Sequence, residues 1–171
     1  FVQYAKAGPE DILVKITAIN RGPEAAQLHL LPTLWFRNNW SNWIAESKRA
    51  HEKPNLQQLR TVDGLSSIAA WHNKLGEFVL SCEGDVNLLF TENETNHIKL
   101  FAFEKNESDH EKDGINDFVV HNNQGAVNPG KTGTKAAAHY QLNIDAGQSS
   151  SIRLRLRKNT TEPGADLLGN S

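Results

Sequence analysis

The sequence predicts an all-β fold, an antiparallel β-sandwich, and three observations carry that reading. Apolar and polar residues alternate through most of the chain, the period of a strand with one face in a core. Clusters of Gly, Pro, Asn and Asp interrupt the alternation at short intervals, where turns reverse the chain. No stretch of about 12 residues holds the apolar spacing of an amphipathic helix. With 171 residues, 38% of them hydrophobic, the chain is long enough to bury a sizeable core. The expected organisation is one β-sandwich domain over residues 1–158 and a polar tail or linker at 159–171, with no internal repeat.

The elements follow in order. Phe1 starts inside strand-like sequence and the chain has no methionine, so it is expected to be a piece of a longer protein. Ile12, Val14, Ile16 and Ala18 alternate with Leu13, Lys15, Thr17 and Ile19, and Asn20-Arg21-Gly22-Pro23 ends that strand. Leu28, Leu30, Leu34 and Phe36 share one face of a second strand, and the two read as a long hairpin. Pro32 interrupts the second strand and predicts an edge position or a bulge. Residues 39–73 are polar, lack sustained periodicity and read as a long surface excursion. Strands resume at 77–83, with Phe78, Leu80 and Cys82 inward, then at 86–91, 98–103 and 118–121. Residues 106–114 and 122–134 read as loops. A final hairpin pairs Ala136, Ala138, Tyr140, Leu142 and Ile144 with Ile152, Leu154 and Leu156. Its outer face carries Arg153, Arg155 and Arg157, a solvated or edge-protecting charge row or, more sharply read, a docking face for a partner's carboxylates.

Composition removes several function classes. A net charge of −2 gives no basic field for nucleic acid or a membrane surface. No run approaches 18 apolar residues, so no helix is expected to span a bilayer. A single cysteine, Cys82, excludes an internal disulfide framework and a multi-cysteine zinc site, and it fits a reducing compartment.

Each motif is read against its plainest explanation. Residues 125–132 match the phosphate-loop pattern letter for letter, but a β-like alternation follows where a helix must begin. Glu92 and Glu94 point the same way in extended backbone, roughly 7 Å apart, within the range of an inverting glycosidase pair. Neighbours on one strand end cannot flank a sugar from opposite sides, so they read as bonds to a turn or to a neighbouring domain. Asp109, His110, Glu111 and Asp113 lack the ligand pattern of a calcium or zinc site. The histidines are scattered, with no serine or cysteine paired to them, and Cys82 reads as a small core residue. Neither a metal nor a cofactor is expected. Trp35, beside Phe36, reads as core or domain interface. Trp40 and Trp43, in polar sequence, are candidates for stacking on sugar rings.

Several blocks resemble bacterial glucosidase-like proteins of glycoside hydrolase family 63, relatives of mannosyl-oligosaccharide glucosidase. They include Pro9-Glu10-Asp11-Ile12-Leu13, Asn20-Arg21-Gly22-Pro23-Glu24-Ala25-Ala26 and Leu30-Leu31-Pro32-Thr33-Leu34-Trp35-Phe36-Arg37-Asn38. Leu89-Phe90-Thr91-Glu92-Asn93-Glu94-Thr95-Asn96, Lys112-Asp113-Gly114-Ile115-Asn116-Asp117 and Gly133-Thr134-Lys135-Ala136-Ala137-Ala138-His139-Tyr140 extend the resemblance. Between residues 39 and 75 only Trp40-Ser41 and the neighbourhood of Lys53-Pro54 are similar. The resemblance implies a β-sandwich of the supersandwich or galactose-mutarotase-like kind, lying before an (α/α)6 barrel that carries the catalytic acid and base. It implies a bacterial cytoplasmic parent that hydrolyses α-glucosidic bonds with inversion, and no catalytic residue in this chain. The barrel of the same parent chain is the implied partner, with an oligosaccharide as a further one. Residues expected at the domain interface or sugar cleft are Trp35, Arg37, Asn38, Glu92, Asn93, Glu94, Asn96, Lys112, Asp113, Asn116 and Asp117. The alternative from another class is an autonomous carbohydrate-binding module.

Overall fold

A computed structural model describes residues 1–41, 52–159 and Leu168. Among these, eleven strands form two antiparallel sheets facing one another, with two short helices on the outside. The first sheet runs β1 (Val2–Gly8), β2 (Asp11–Ile19), β11 (Ser149–Lys158), β7 (Gly76–Glu83), β6 (Leu65–His72), β5 (Asn55–Gln58) and β9 (Thr132–Gly133). The second is built around β10 (Lys135–Ile144), with β3 (Ala26–Leu30) and β4 (Thr33–Trp35) along one edge and β8 (Asn87–Thr91) along the other.

The core lies between the sheets. Leu56, Ile68, Ala70, Leu80, Cys82, Ile152 and Leu154 of the first sheet meet Leu88, Phe90, Ala136, Ala138 and Tyr140 of the second. The Tyr140 hydroxyl crosses this layer to donate to the Glu83 carbonyl at 2.8 Å. The outer face of the second sheet is also covered. Ile115, Phe118 and Val119 of helix α2 (Gly114–His121) pack with Leu31, Leu89, Val127 and Ala137. β8 and the first half of β10 are therefore buried on both faces.

The sandwich is as expected, but its connections differ from the sequence reading. β2 pairs with β1 and β11, whereas β3 pairs with β10, so the first long hairpin does not exist. Nor do β10 and β11 pair; the turn Asp145–Gln148 carries the chain from one sheet to the other. The two corners are sewn together by Asn20, whose Nδ2 donates to the carbonyls of Ile144 (2.8 Å) and Glu24 (2.7 Å). Alternation reports which face is buried, and consecutive strands in opposite sheets of a sandwich share that face.

Pro32 lies on an edge, as expected. The register with β10 continues unbroken across it, because its carbonyl accepts the Ala138 N–H at 3.0 Å, and proline costs only the return bond of that one pair. The excursion at 39–73 is corrected: it contains β5 and β6, which are strands of the first sheet. Ser66, Ile68 and Ala70 face the core on β6, and the small or polar first and last of these concealed the period. Ser66 is buried because its hydroxyl serves both the N–H (2.9 Å) and the carbonyl (3.2 Å) of Val86. The expected strands at 98–103 and 118–121 are helical. α1 (His97–Phe101) is capped by the Asn96 side chain, which accepts from Lys99 N, and α2 places residues 115, 118 and 119 on one face.

The guanidinium row is also corrected, because β11 is an interior strand and not an edge. Arg153 is bonded to Glu83, Arg155 to Asp11 through both Nε and a terminal nitrogen, and Lys158 to Glu10. The hydrogen bond from Arg155 holds the Asp11 carboxyl below its ordinary value, and that from Arg153 does the same for Glu83. Arg153 and Arg155 of the row thus neutralise this chain's own carboxylates. No helix among the described residues is long and apolar enough to cross a membrane.

Candidate functional site

One end of the sandwich gathers most of the candidate residues, and two close backbone approaches make this possible. A Cβ on Gly133 would lie 2.4 Å from the Thr91 carbonyl oxygen, and one on Gly114 would lie 2.0 Å from that of Ala126. Only glycine lets these segments pass so close to the end of β8.

Asn38 folds the chain after β4 into a tight turn. Its Oδ1 accepts from the N–H groups of Trp40 (3.3 Å) and Ser41 (3.2 Å), and its Nδ2 donates to Ser41 Oγ and to the Asn93 carbonyl. Asn93 replies by donating from Nδ2 to the Phe36 carbonyl at 2.8 Å. The turn delivers the Trp40 indole N–H to Glu94 Oε1 at 2.8 Å. Lys53 Nζ reaches the same oxygen at 2.9 Å and Glu92 Oε2 at 3.1 Å, and the Thr134 hydroxyl donates to Glu92 Oε2 at 2.6 Å. Burial pulls the Lys53 ammonium down, but its bonds to Glu94 and Glu92 outweigh that and hold it above its ordinary value. Glu94 is 4% exposed, and its second oxygen, Oε2, has no hydrogen-bond partner among the described residues.

A second network adjoins the first through Lys112, whose N–H donates to the Glu94 carbonyl at 3.2 Å. Asn96 caps α1 and donates to both Asp113 oxygens at 3.2 and 3.3 Å. Lys99 bridges Asp113 (3.0 Å) and Asp117 (3.7 Å). Burial raises the Asp113 carboxyl, but the bonds from Lys99 and Asn96 prevail and hold it low. Asn106 donates to Asn96 Oδ1 and accepts from Ile98 N, and Lys112 Nζ donates to Thr95 Oγ1. A cavity of about 480 Å³ opens beside these networks, lined by Trp40, Ser41, Glu94, Lys105, Asn106 and Glu107. Next to it Ile98, Leu100, Phe101 and Phe103 are each about half exposed.

Thus Asn38, Glu92, Asn93, Glu94, Asn96, Lys112, Asp113 and Asp117 come together. Asn116 is exposed at the margin, touching only Asp117 among the described residues, at 3.4 Å. Trp35 does not join them. It is 56% exposed and borders an apolar cavity of about 230 Å³ with Leu34, Phe36, His72, Leu75 and Phe78. Arg37 is exposed and bonds no described residue. Trp40 is half-buried with its N–H engaged, and Trp43 lies outside the described residues. Lys53, Lys99, Asn106 and Thr134 were missed as site residues. Residues such as Lys53 announce themselves only when folding brings a carboxylate to them, and the similarity around Lys53-Pro54 was the one available signal.

The chemistry follows from these contacts. One ammonium touches both glutamates, so they face it together instead of flanking a substrate from two sides. No group of three His, Cys, Asp or Glu among the described residues could hold a metal. The loop at 125–132 contains a single 3-10 turn (Gln124–Ala126) and leads into β9, with no helix to receive a phosphate.

The fold and this site define an antiparallel β-sandwich with a polar network and an open cavity at one end. No family profile matches the chain. It is similar to Uncharacterized protein YMR196W of Saccharomyces cerevisiae, with 32% identity over 180 residues covering 91% of this chain. The chain spans 16% of the length of that curated relative.

Proposed function

We propose that this chain is the non-catalytic N-terminal β-sandwich region of a glucosidase-like glycoside hydrolase, packing on an (α/α)6 catalytic barrel and shaping its sugar cleft. The sandwich is then of the supersandwich or galactose-mutarotase-like kind. The barrel supplies a general acid and a base that activates water, for inverting hydrolysis of an α-glucosidic bond. The observation that carries the reading is the pairing of two features at one end of the sandwich. Ion-paired polar side chains hold the loops rigid, and Ile98, Leu100, Phe101 and Phe103 stand exposed beside them. A contiguous apolar patch beside a fixed polar rim has the composition of a domain interface. The small share of the yeast relative that the chain spans also supports a piece that works within a longer protein.

The test is a double substitution, Phe101→Ser with Phe103→Ser. In the isolated chain both side chains are about half exposed but pack on each other and on His97, so stability should fall by about 1–2 kcal/mol. In the full-length parent the same change should lower the melting temperature and the rate of glucose release from kojibiose or nigerose. Equal effects in both settings would sink the interface reading. Isothermal titration of the isolated chain with maltose and a soluble α-glucan tests the rival. Binding there would favour an autonomous carbohydrate-binding module, and glucose release by the chain alone would overturn both.

A further inference from the structure

We propose that the cavity between the β1–β2 turn and the end of β11 is a carboxylate site, built around Arg157, that receives an acidic side chain of the neighbouring part of the parent protein. This rests on the docking reading above and supplies the chemistry of one contact on that face.

The cavity has a volume of about 320 Å³, with the turn Gly8–Asp11 on one side and Arg155, Arg157 and Lys158 on the other. It belongs to the end of the sandwich that carries the polar network. Leu156, the residue before Arg157, lines the apolar cavity together with Trp35. Trp35 and Thr91 in turn flank Lys135 from either side, just where β8 runs into Glu92 and Glu94. Charge singles out one group. The walls hold three cations and two carboxylates. Asp11 takes Arg155 through both oxygens, Oδ1 accepting from Nε at 2.8 Å, and Glu10 takes Lys158. Arg157 is the cation left over. It stands opposite Asp11 in the β2–β11 ladder, yet it makes no hydrogen bond or ion pair with any described residue and acts on Asp11 only through its charge. Arg157 is half-buried, and none of its nitrogens is closed off from solvent, so a guest can reach them. The nearby carboxylate of β7, Glu77, accepts from Asn159 Nδ2 at 3.2 Å instead.

The surplus charge and the shape of the free donor define the guest. A guanidinium presents its N–H groups as a planar fork, which matches the two oxygens of a carboxylate. One carboxylate neutralises the surplus. A dianion such as phosphate exceeds it and stands against Glu10 and Asp11, and a neutral amide leaves the charge unmatched. The walls are in place before the guest arrives. Arg155 and Lys158 are tied to the turn by their own ion pairs, and the Lys158 N–H donates to the Glu10 carbonyl at 3.0 Å, so little order is lost on docking.

The test is a titration of the 171-residue chain with propionate, propionamide and sulfate at constant ionic strength. It follows the Arg155 Nε–H resonance, assigned through Arg155→Lys. The expected result is a saturable shift with propionate, a weaker one with sulfate and none with propionamide. Arg157→Gln should weaken propionate about tenfold or more, the scale of one charge-assisted hydrogen bond. Arg157→Lys, which keeps the charge and loses the fork, should weaken it by less. In the full-length parent, Arg157→Glu should lower the melting temperature by more than it does in the isolated chain. No shift with propionate, a shift unchanged in Arg157→Gln, or tighter binding of sulfate would each overturn the carboxylate site. Tighter propionate binding in Glu77→Gln would do the same, because Glu77 would then already occupy Arg157 in solution. Equal melting shifts in chain and parent would overturn the docked carboxylate even where propionate binds. Failure here leaves the serine double-substitution result standing, so the two readings fall separately.

Discussion

Lys53 shows how much one side chain settles at this end of the molecule. Its ammonium is the only cation on Glu94 among the described residues, and it ties the chain entering β5 to the end of β8. Lys53→Ala leaves a carboxylate that is 4% exposed with the Trp40 N–H as its one remaining donor among the described residues. The expected loss is about 1–3 kcal/mol, read as a lower urea midpoint at unchanged m-value. Gly114 is a second such position. An added methyl group would collide with the Ala126 carbonyl, so Gly114→Ala should destabilise by about 1–3 kcal/mol and loosen α2, visible as faster amide exchange there. Cys82 makes the opposite prediction. It is fully buried in the core, and burial pushes its thiol up to about 12. A thiol reagent at pH 8 should therefore label it only as fast as the chain unfolds, and rapid labelling of the native chain would contradict the structure.

At the scale of elements, β5 and α2 are the informative cases. β5 is only four residues long, yet Leu56 is fully buried. Leu56→Ala should cost about 2–5 kcal/mol, a penalty that a surface excursion could not show. α2 covers a histidine pair on the outer face of the second sheet. His139 Nε2 lies 2.7 Å from His29 Nδ1, and the rings stack at 5.0 Å with Phe118 edge-on to His139. Burial, and then the charge of His29, hold the His139 imidazole below its ordinary value of 6.5. The folded state thus prefers His139 neutral, while the unfolded chain takes up a proton first. Its contribution to stability is whole above about pH 6.5 and is lost as pH falls through the lowered value. Urea midpoints should drop between pH 7.5 and 5, and His139→Gln should flatten that drop. The depressed carboxyls of Asp11, Glu83 and Asp113 act in a separate window, supplying stability above about pH 4 that is lost at lower pH.

At the scale of the whole molecule, legibility depended on whether one face or two were buried. β2 and β11 pack one face on the core and put ion pairs on the other, so their alternation was plain in the sequence. β6 buries Ser66 through its hydroxyl, and β8 is buried on both faces, so periodicity alone could not place the first or explain the second. The short segments around Ile98 and Phe118 were misread because two or three apolar residues fit either period. Most of the polar candidates do meet at one end, since β8 and β4 both deliver their C-terminal residues there. Trp35 and Arg37 fall away because they precede the Asn38 turn that redirects the chain.

The sequence by itself determined that this protein is a β-sandwich, that Cys82 belongs to its core and that charges line its outer face. Those properties are local, written in alternation and in turn residues that act over a few positions. Only the tertiary structure decided which strands pair, that both expected hairpins are crossings between sheets, and that Lys53 rather than a substrate stands between Glu92 and Glu94. These depend on which distant segments meet, and no local period in the chain encodes the partner on the far side of a sandwich.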